Sequence, residues 1–165
     1  MKKQTITWAA PHGQVPSPAD GLSVTNIDHL ISGLNRVSAP IDGNYRGTIV
    51  ALGSLNRLPR PLRTGLTQLI SRSATPIWRG KTFDGAQGAN LWMRGERPMQ
   101  FGGYDQVIGE DGALLLNYDV SANPRPLTGI RGDLWELGAG TYLGRMRYQS
   151  QRSNSMTIMY FTLER

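Results

Sequence analysis

The stretch DGNYRGTIVALG, residues 42–53, decides how the chain folds. Its side chains alternate, so that Tyr45 and Ile49 fall on one face of an extended strand and the residues between them fall on the other. Gly43 and Gly47 flank the aromatic residue. Glycine inside a strand gives up a packing side chain, and it usually marks a bend, a bulge or a close approach of another backbone. A small closed barrel needs such bends, and we interpret this stretch as its first strand.

A period of two residues dominates the chain after about residue 76. Short turn sequences such as GEDG and SANPRP interrupt it. We predict further strands over 76–84, 89–94, 99–108, 113–119, 128–137, 141–149 and 155–164. About eight short strands with tight turns predict a mainly β fold, a single antiparallel up-and-down β-barrel whose closure removes its sheet edges. The interior of such a barrel holds side chains or one small ligand.

Two flanking helices are predicted before the long run of strands. The segment TNIDHLISGLNRV places apolar residues at helical spacing and predicts a helix over 25–38, and a second helix is predicted over 61–72, after the first strand. Residues 1–24 are rich in proline and glycine, and we interpret them as an arm. Since neither part of the chain would bury its apolar face alone, we expect a single domain over 1–165, with the barrel over 43–165.

Composition limits the possible functions. The chain of 165 residues has a net charge of +6 and no cysteine, which excludes disulfides and thiolate chemistry. No segment approaches the roughly 18 apolar residues of a transmembrane helix, and no apolar run of signal-peptide length follows the first lysines. We therefore expect a soluble, cytoplasmic protein without a membrane span. The arginines raise nucleic acid as a partner, but they are scattered and no RNA-binding or zinc-finger motif accompanies them.

Few residues are suited to nucleophilic or metal chemistry. His12 and His29 are isolated, and the chain has no Gly-x-Ser-x-Gly motif. We therefore expect no metal site and no cofactor. The segment GAGTYLG, residues 138–144, departs from the Gly-x-Gly-x-x-Gly spacing of dinucleotide-binding loops and leads into a strand, so it predicts a hairpin turn.

The densest polar segment is LLLNYDVSANPR, which is followed by IRGDLWEL. One interpretation is a turn beside solvated Arg–Asp pairs. The alternative is a catalytic site in which Tyr118, Asp119 and Arg131 supply acid–base and electrostatic help. An arginine inside the barrel would hold a carboxylate or enolate with two hydrogen bonds. Arg131 is favoured for that place because it shares a strand face with Trp135, whereas Arg145 alternates with its apolar neighbours.

Lys81 is the only lysine beyond the first few residues of the chain. Among apolar strand neighbours it is a candidate to bind an anion, or to form a Schiff base if burial lowers its pKa. The alternative is an exposed strand residue. The other candidate ligand-binding residues are Asn90, Trp92, Tyr142, Arg145 and Tyr160. Aromatic residues that line a cavity and those that fill a core look the same in sequence.

Gly43-x-Tyr45-x-Gly47 on a first strand, before a long antiparallel meander, resembles the opening of calycin-like barrels. These include the lipocalins, the fatty-acid-binding proteins and the nitrobindin-like "GXWXG" domains. In those families the aromatic residue closes one barrel end, and tyrosine stands here where tryptophan is usual. The predicted helix after the first strand is similar to the helical cap of fatty-acid-binding barrels, which have more strands and two short cap helices. The resemblance spans residues 43–165 and implies a barrel that takes up a small molecule.

Three functions remain open from the sequence. The first is binding of a hydrophobic, anionic small molecule, lipid-, polyketide- or terpenoid-like, in the barrel cavity. The second is a cofactor-independent cyclase or isomerase that uses the same cavity. The third is nucleic-acid binding through surface arginines. The number of subunits, a homodimer included, is also open.

Overall fold

The computed structural model describes residues 24–53, 58, 60–64, 77–149 and 154–165. Its strands form a closed barrel in which each strand pairs with the next and the last pairs with the first, always antiparallel. The strands are Gly43–Leu52 (β1), Ile77–Asp84 (β2), Gln87–Arg94 (β3), Arg97–Ile108 (β4), Leu114–Asn117 (β5), Ile130–Gly138 (β6), Thr141–Tyr148 (β7) and Met156–Glu164 (β8). The predicted antiparallel up-and-down β-barrel is therefore confirmed.

Helix α1, Val24–Ile31, packs on the outside of the barrel through Ile27. It ends earlier than the prediction over 25–38, because the chain passes through a turn at Gly33, whose N–H donates to the carbonyl of Leu30. Beyond that turn the chain is no longer helical, and residue 36 bridges to β6. No described helix combines the length and the apolar character that crossing a membrane requires.

Part of the predicted helix over 61–72 is seen. Residues 60–64 are helical, and Leu58 and Leu62 are buried in the main hydrophobic core. The remainder of that predicted helix, and residues 1–23 of the predicted arm, lie outside the described residues. A short 3₁₀ turn at Arg125–Leu127 precedes β6.

One end of the barrel, where β1 begins, is covered by the segment over 35–41. Val37 is buried in the main core, and its N–H and C=O bond to Leu134 and Leu114. The Gln106 side chain accepts a hydrogen bond from the N–H of Ile41 (3.0 Å) and donates one to the C=O of the same residue (2.9 Å). We call this the closed end, because side chains and backbone hydrogen bonds fill it.

Tyr45 lies at the closed end, as the sequence predicts for the aromatic residue between the two glycines. It is 3% exposed, and its ring packs edge-to-face against Phe83 at 5.5 Å and Tyr142 at 5.6 Å. Gly47 admits a second aromatic residue, because a Cβ atom there would lie 2.3 Å from the Trp78 ring. The glycine spacing of β1 therefore makes room for aromatic rings inside a narrow barrel.

Candidate functional site

Lys81 lies inside the barrel, on β2, and is 0% exposed. Its Nζ donates hydrogen bonds to Tyr118 Oη at 2.5 Å and to Asn90 Oδ1 at 2.7 Å. The same atom lies 4.9 to 5.3 Å from the ring centroids of Tyr104, Tyr118 and Phe161. These aromatic faces attract an ammonium group. We call Lys81 and the four residues around it the lysine cluster.

The electrostatics of the lysine cluster are unusual because no carboxylate among the described residues pairs with the amine. Each ion pair in the described part of the chain is formed by an arginine. Burial without a compensating anion lowers the pKa of Lys81 from 10.5 to about 7. Burial also raises the pKa of Tyr104 and Tyr118, so both remain hydroxyls at neutral pH. The neutral amine of Lys81 is therefore accessible near pH 7, unlike that of an ordinary lysine.

Asn90 fixes the orientation of the polar groups in the lysine cluster. It is 6% exposed, and its Nδ2 donates to the carbonyl of Gly102 at 3.0 Å. That bond turns Oδ1 toward Lys81, where it also accepts a hydrogen bond from Trp78 Nε1 at 3.3 Å. The amide therefore links the buried amine to an aromatic side chain nearer the other end of the barrel.

An apolar rim lies beyond Asn90, at the end of the barrel opposite the closed end. Residues directly opposite each other on antiparallel strands face the same side, and the register pairs Trp78 with Trp92, Trp92 with Met99 and Asn90 with Phe101. The side that carries the buried Asn90 therefore also carries these apolar residues. Met99 is 37% exposed and Phe101 48% exposed. We call Trp78, Trp92, Met99 and Phe101 the apolar rim.

Arg145, a predicted ligand-binding residue, lies on the outer face of the barrel. It alternates with Gly144, whose missing Cβ would meet the core, and it pairs with Asp133 at 2.9 Å. Asp133 is 1% exposed and also pairs with Arg36 at 3.1 Å and Arg147 at 2.9 Å. We call Asp133 and these arginines the outer ion cluster. The structure therefore does not bring Arg145 to the lysine cluster.

The three predicted catalytic residues are separated by the barrel wall. Tyr118 points inward, to Lys81. Arg131 alternates with the inward-facing residues of β6 and donates to the carbonyls of Thr128 and Ile130, both at 2.7 Å. Asp119 lies near Arg131, and its charge partly opposes the lowering of that arginine's pKa by burial. Arg131 therefore does not provide the interior anchor that the sequence analysis assigned to it.

The predicted ligand-binding residues divide in the same way. Asn90 belongs to the lysine cluster and Trp92 to the apolar rim, where its Nε1 donates to the carbonyl of Phe101. Tyr142 lies at the closed end. Tyr160 is buried under α1 on the outside of the barrel, where its hydroxyl donates to Asp28.

Sequence reasoning missed Tyr104 and Phe161 as neighbours of Lys81. Both are paired directly with a glycine on the preceding strand, Tyr104 with Gly88 and Phe161 with Gly144. A Cβ atom on either glycine would lie 2.3 Å or less from the facing ring. A glycine in register with an aromatic residue is thus the signal that could have placed these rings inside the barrel.

The described residues contain no group of three or more histidine, aspartate or glutamate side chains placed to hold a metal ion. No protein-family model matches the chain, and a search of curated proteins finds no match. Among solved structures, the chain is similar to a protein from Thermomonospora curvata, with a TM-score of 0.52 and 19% identity over 89% of this chain and 91% of that one. At that identity the similarity shows the fold alone. It agrees with the closed antiparallel barrel described above, and it shows neither the calycin-like grouping nor its Gly-x-Trp-x-Gly motif.

Proposed function

We propose that the protein binds one apolar small molecule with an anionic head group, the head group against Lys81 and the apolar body toward the apolar rim. The observation that supports it most directly is a fully buried amine with no carboxylate partner among the described residues. A buried charge is stable only when an opposite charge or several hydrogen bonds accompany it. A carboxylate or enolate on the ligand would supply that charge and restore the ammonium form.

The apolar rim supports the second half of this proposal. Small-molecule sites are mostly apolar, with a few polar groups that fix the orientation of the ligand. Asn90 joins the lysine cluster to Trp78 by a hydrogen bond, so the polar and apolar parts of the site are contiguous. Exposed, inward-facing Met99 and Phe101 would be covered by the ligand. A lipid-, polyketide- or terpenoid-like molecule has the required shape.

Decanoate and 1-decanol test the proposal, because they share an alkyl chain and differ in charge. Isothermal titration calorimetry near pH 7 is expected to show binding of decanoate by the unchanged protein. Lys81→Met is expected to weaken decanoate binding by about thirtyfold or more, since truncating one partner of a buried charge pair costs about 2 kcal/mol or more. Binding of 1-decanol should change much less. The matched control is Arg97→Met, which removes an exposed positive charge from β4.

The proposal fails if decanoate does not bind, or if folded Lys81→Met binds it as tightly as the unchanged protein does. Circular dichroism and thermal unfolding of each variant establish that the comparison is made between folded proteins. Equal losses in Lys81→Met and Arg97→Met would also contradict it, because a general effect of net charge would then explain the result.

A second candidate function is proton transfer on a ketone in the manner of an isomerase. The observation that favours it is the 2.5 Å contact between Lys81 Nζ and Tyr118 Oη, which joins a near-neutral amine to a hydroxyl donor. Exchange of deuterium from solvent into the carbon next to the carbonyl of 2-decanone, followed by NMR, would detect it. Tyr118→Phe should slow the exchange by about a hundredfold. Exchange that is no faster than in buffer excludes this function for that ketone.

The nucleic-acid alternative gains little from the arginines of the outer ion cluster. Arg36, Arg145 and Arg147 all pair with the single carboxylate of Asp133. Their charge is therefore partly neutralised within the protein.

A further inference from the structure

We infer that Lys81 forms a reversible covalent imine with an aldehyde that reaches it through the apolar rim. The inference rests on the proposed function, because the aldehyde takes the same place as the anionic ligand. It assigns the lysine cluster a second chemical class of ligand, an apolar aldehyde. Lys81 would hold the aldehyde by a covalent C=N bond, whereas it would hold the anionic head group by an ion pair.

The first supporting feature is the position of the amine. Nζ is fixed by Asn90 Oδ1 at 2.7 Å and Tyr118 Oη at 2.5 Å. No carboxylate in the described part of the chain pairs with it and holds it in the ammonium form. A lysine is nucleophilic only as the neutral amine, and a desolvated site is a known way to produce it.

The second supporting feature is the surroundings of the amine. The rings of Tyr104, Tyr118 and Phe161 lie within 5.3 Å of Nζ, and the Lys81 side chain is completely buried. Imines in water hydrolyse readily, and a site that excludes water protects a reactive intermediate. The lowered pKa of Lys81, about 7, agrees with this geometry. Near pH 7 the neutral fraction of Lys81 is therefore larger than that of an ordinary lysine by at least about a hundredfold.

The reaction needs no oxidant, reductant or metal. The nitrogen lone pair adds to the carbonyl carbon, the C–O π bond opens, and one proton passes from the nitrogen to the oxygen, so that a carbinolamine forms. Tyr118 Oη is placed to donate its proton to the departing hydroxyl and to regain a proton from the carbinolamine nitrogen. One water molecule leaves as the C=N bond forms. The sum is an aldehyde and an amine converted to an imine and water.

The experiment uses decanal with sodium cyanoborohydride at pH 7, which reduces the imine to a stable secondary amine. Intact-mass measurement and peptide mapping are expected to show one decyl group on Lys81. Its labelling should be at least about tenfold faster than that of Nα-acetyl-lysine methylamide in the same tube, because that free amine is almost fully protonated. Tyr118→Phe should slow labelling by about tenfold or more while the lysine is retained.

Decanoate titrations on the same samples separate this inference from the proposed function. Decanoate binding that depends on Lys81, with no decyl group on Lys81, overturns the imine and leaves the anion site intact. Labelling of Lys81 without decanoate binding supports the imine and contradicts the anionic head group. Failure of both contradicts both proposals. Because the mapping is made on the unchanged protein, the test of the imine does not depend on whether Lys81→Met folds.

Discussion

The ring of Phe161 occupies the space that a side chain at Gly144 would need: a Cβ atom built on that glycine lies 2.2 Å from the ring. The two residues are paired directly across β7 and β8. Phe161 in turn packs edge-to-face against Trp78 of β2, with 5.6 Å between ring centroids. Gly144 therefore leaves room for the edge-to-face contact between Phe161 and Trp78 inside the barrel.

Gly144→Ala is expected to destabilise the fold by about 1–3 kcal/mol, because the added methyl group forces the Phe161 ring or the backbone to move. Chemical denaturation measures the change in the free energy of unfolding. Gly138→Ala is the matched control, since no heavy atom lies within 4 Å of its built Cβ atom. Equal stability of the two variants would show that the space between Gly144 and the Phe161 ring can accommodate a methyl group.

The stability of the barrel should depend on pH through Lys81. Its pKa is lowered to about 7 in the folded protein, so between about pH 7 and 10.5 the unfolded chain holds a proton that the folded protein does not. The free energy of unfolding should therefore rise across that window by up to about 1.4 kcal/mol for each unit of pH. The measurement is limited to pH 7–9 because of Tyr104 and Tyr118, whose pKa values are raised in the folded protein. Near pH 10 these tyrosines lose their protons in the unfolded chain only, which lowers the free energy of unfolding as the pH rises.

Lys81→Met should remove this part of the slope, while Arg97→Met should keep it. Denaturant titrations at intervals between pH 7 and 9 provide the comparison. Slopes that agree among all three proteins would mean that Lys81 is protonated in the folded state.

Asp133→Asn should destabilise the fold by about 3 kcal/mol, because it leaves Arg36, Arg145 and Arg147 together without their shared carboxylate. Asp111→Asn is the matched control. That carboxylate also pairs with Arg36, at 2.6 Å, but its side chain is 59% exposed, and the loss should be about 0–1 kcal/mol. Thermal and chemical unfolding measure both variants, and a larger loss at Asp111 than at Asp133 would refute this account of the outer ion cluster.

Decanoate binding should be accompanied by uptake of protons at pH 8. An anion beside Lys81 raises the pKa of the amine, which is mostly neutral at that pH in the free protein. Calorimetry in buffers of different ionisation enthalpy gives the number of protons taken up, which should be close to one. Lys81→Met should take up no proton when it binds decanoate. If both proteins take up the same number of protons, the proton goes to a group other than Lys81.

Strand limits and barrel class follow from the alternation of apolar residues, but which side of each strand faces inward does not. Arg131 was expected inside because it shares a face with Trp135. Trp135 is buried on the outside instead, under Arg36 and Arg145, whose guanidinium groups lie 5.7 and 5.2 Å from its ring. An aromatic residue covered by neighbouring arginines is as well buried as one in the core.

A β-bulge in β2 is a second reason why the sequence alone does not predict which side chains of the site face inward. Trp78 and Lys81 are three positions apart and would face opposite sides of a regular strand. A register shift between Trp78 and Gly80 brings both to the interior, where both bond to Asn90. Gly80 has φ +145°, which a residue with a side chain rarely adopts, and it is the one local sign of that shift.

The covered end of the barrel has a kinetic consequence. With Val37 and Gln106 filling that end, a ligand bound as proposed above would arrive past the apolar rim and depart past it as well. Arrival and departure then share one barrier, so a substitution that only widens the passage would speed both by the same factor and leave the dissociation constant unchanged.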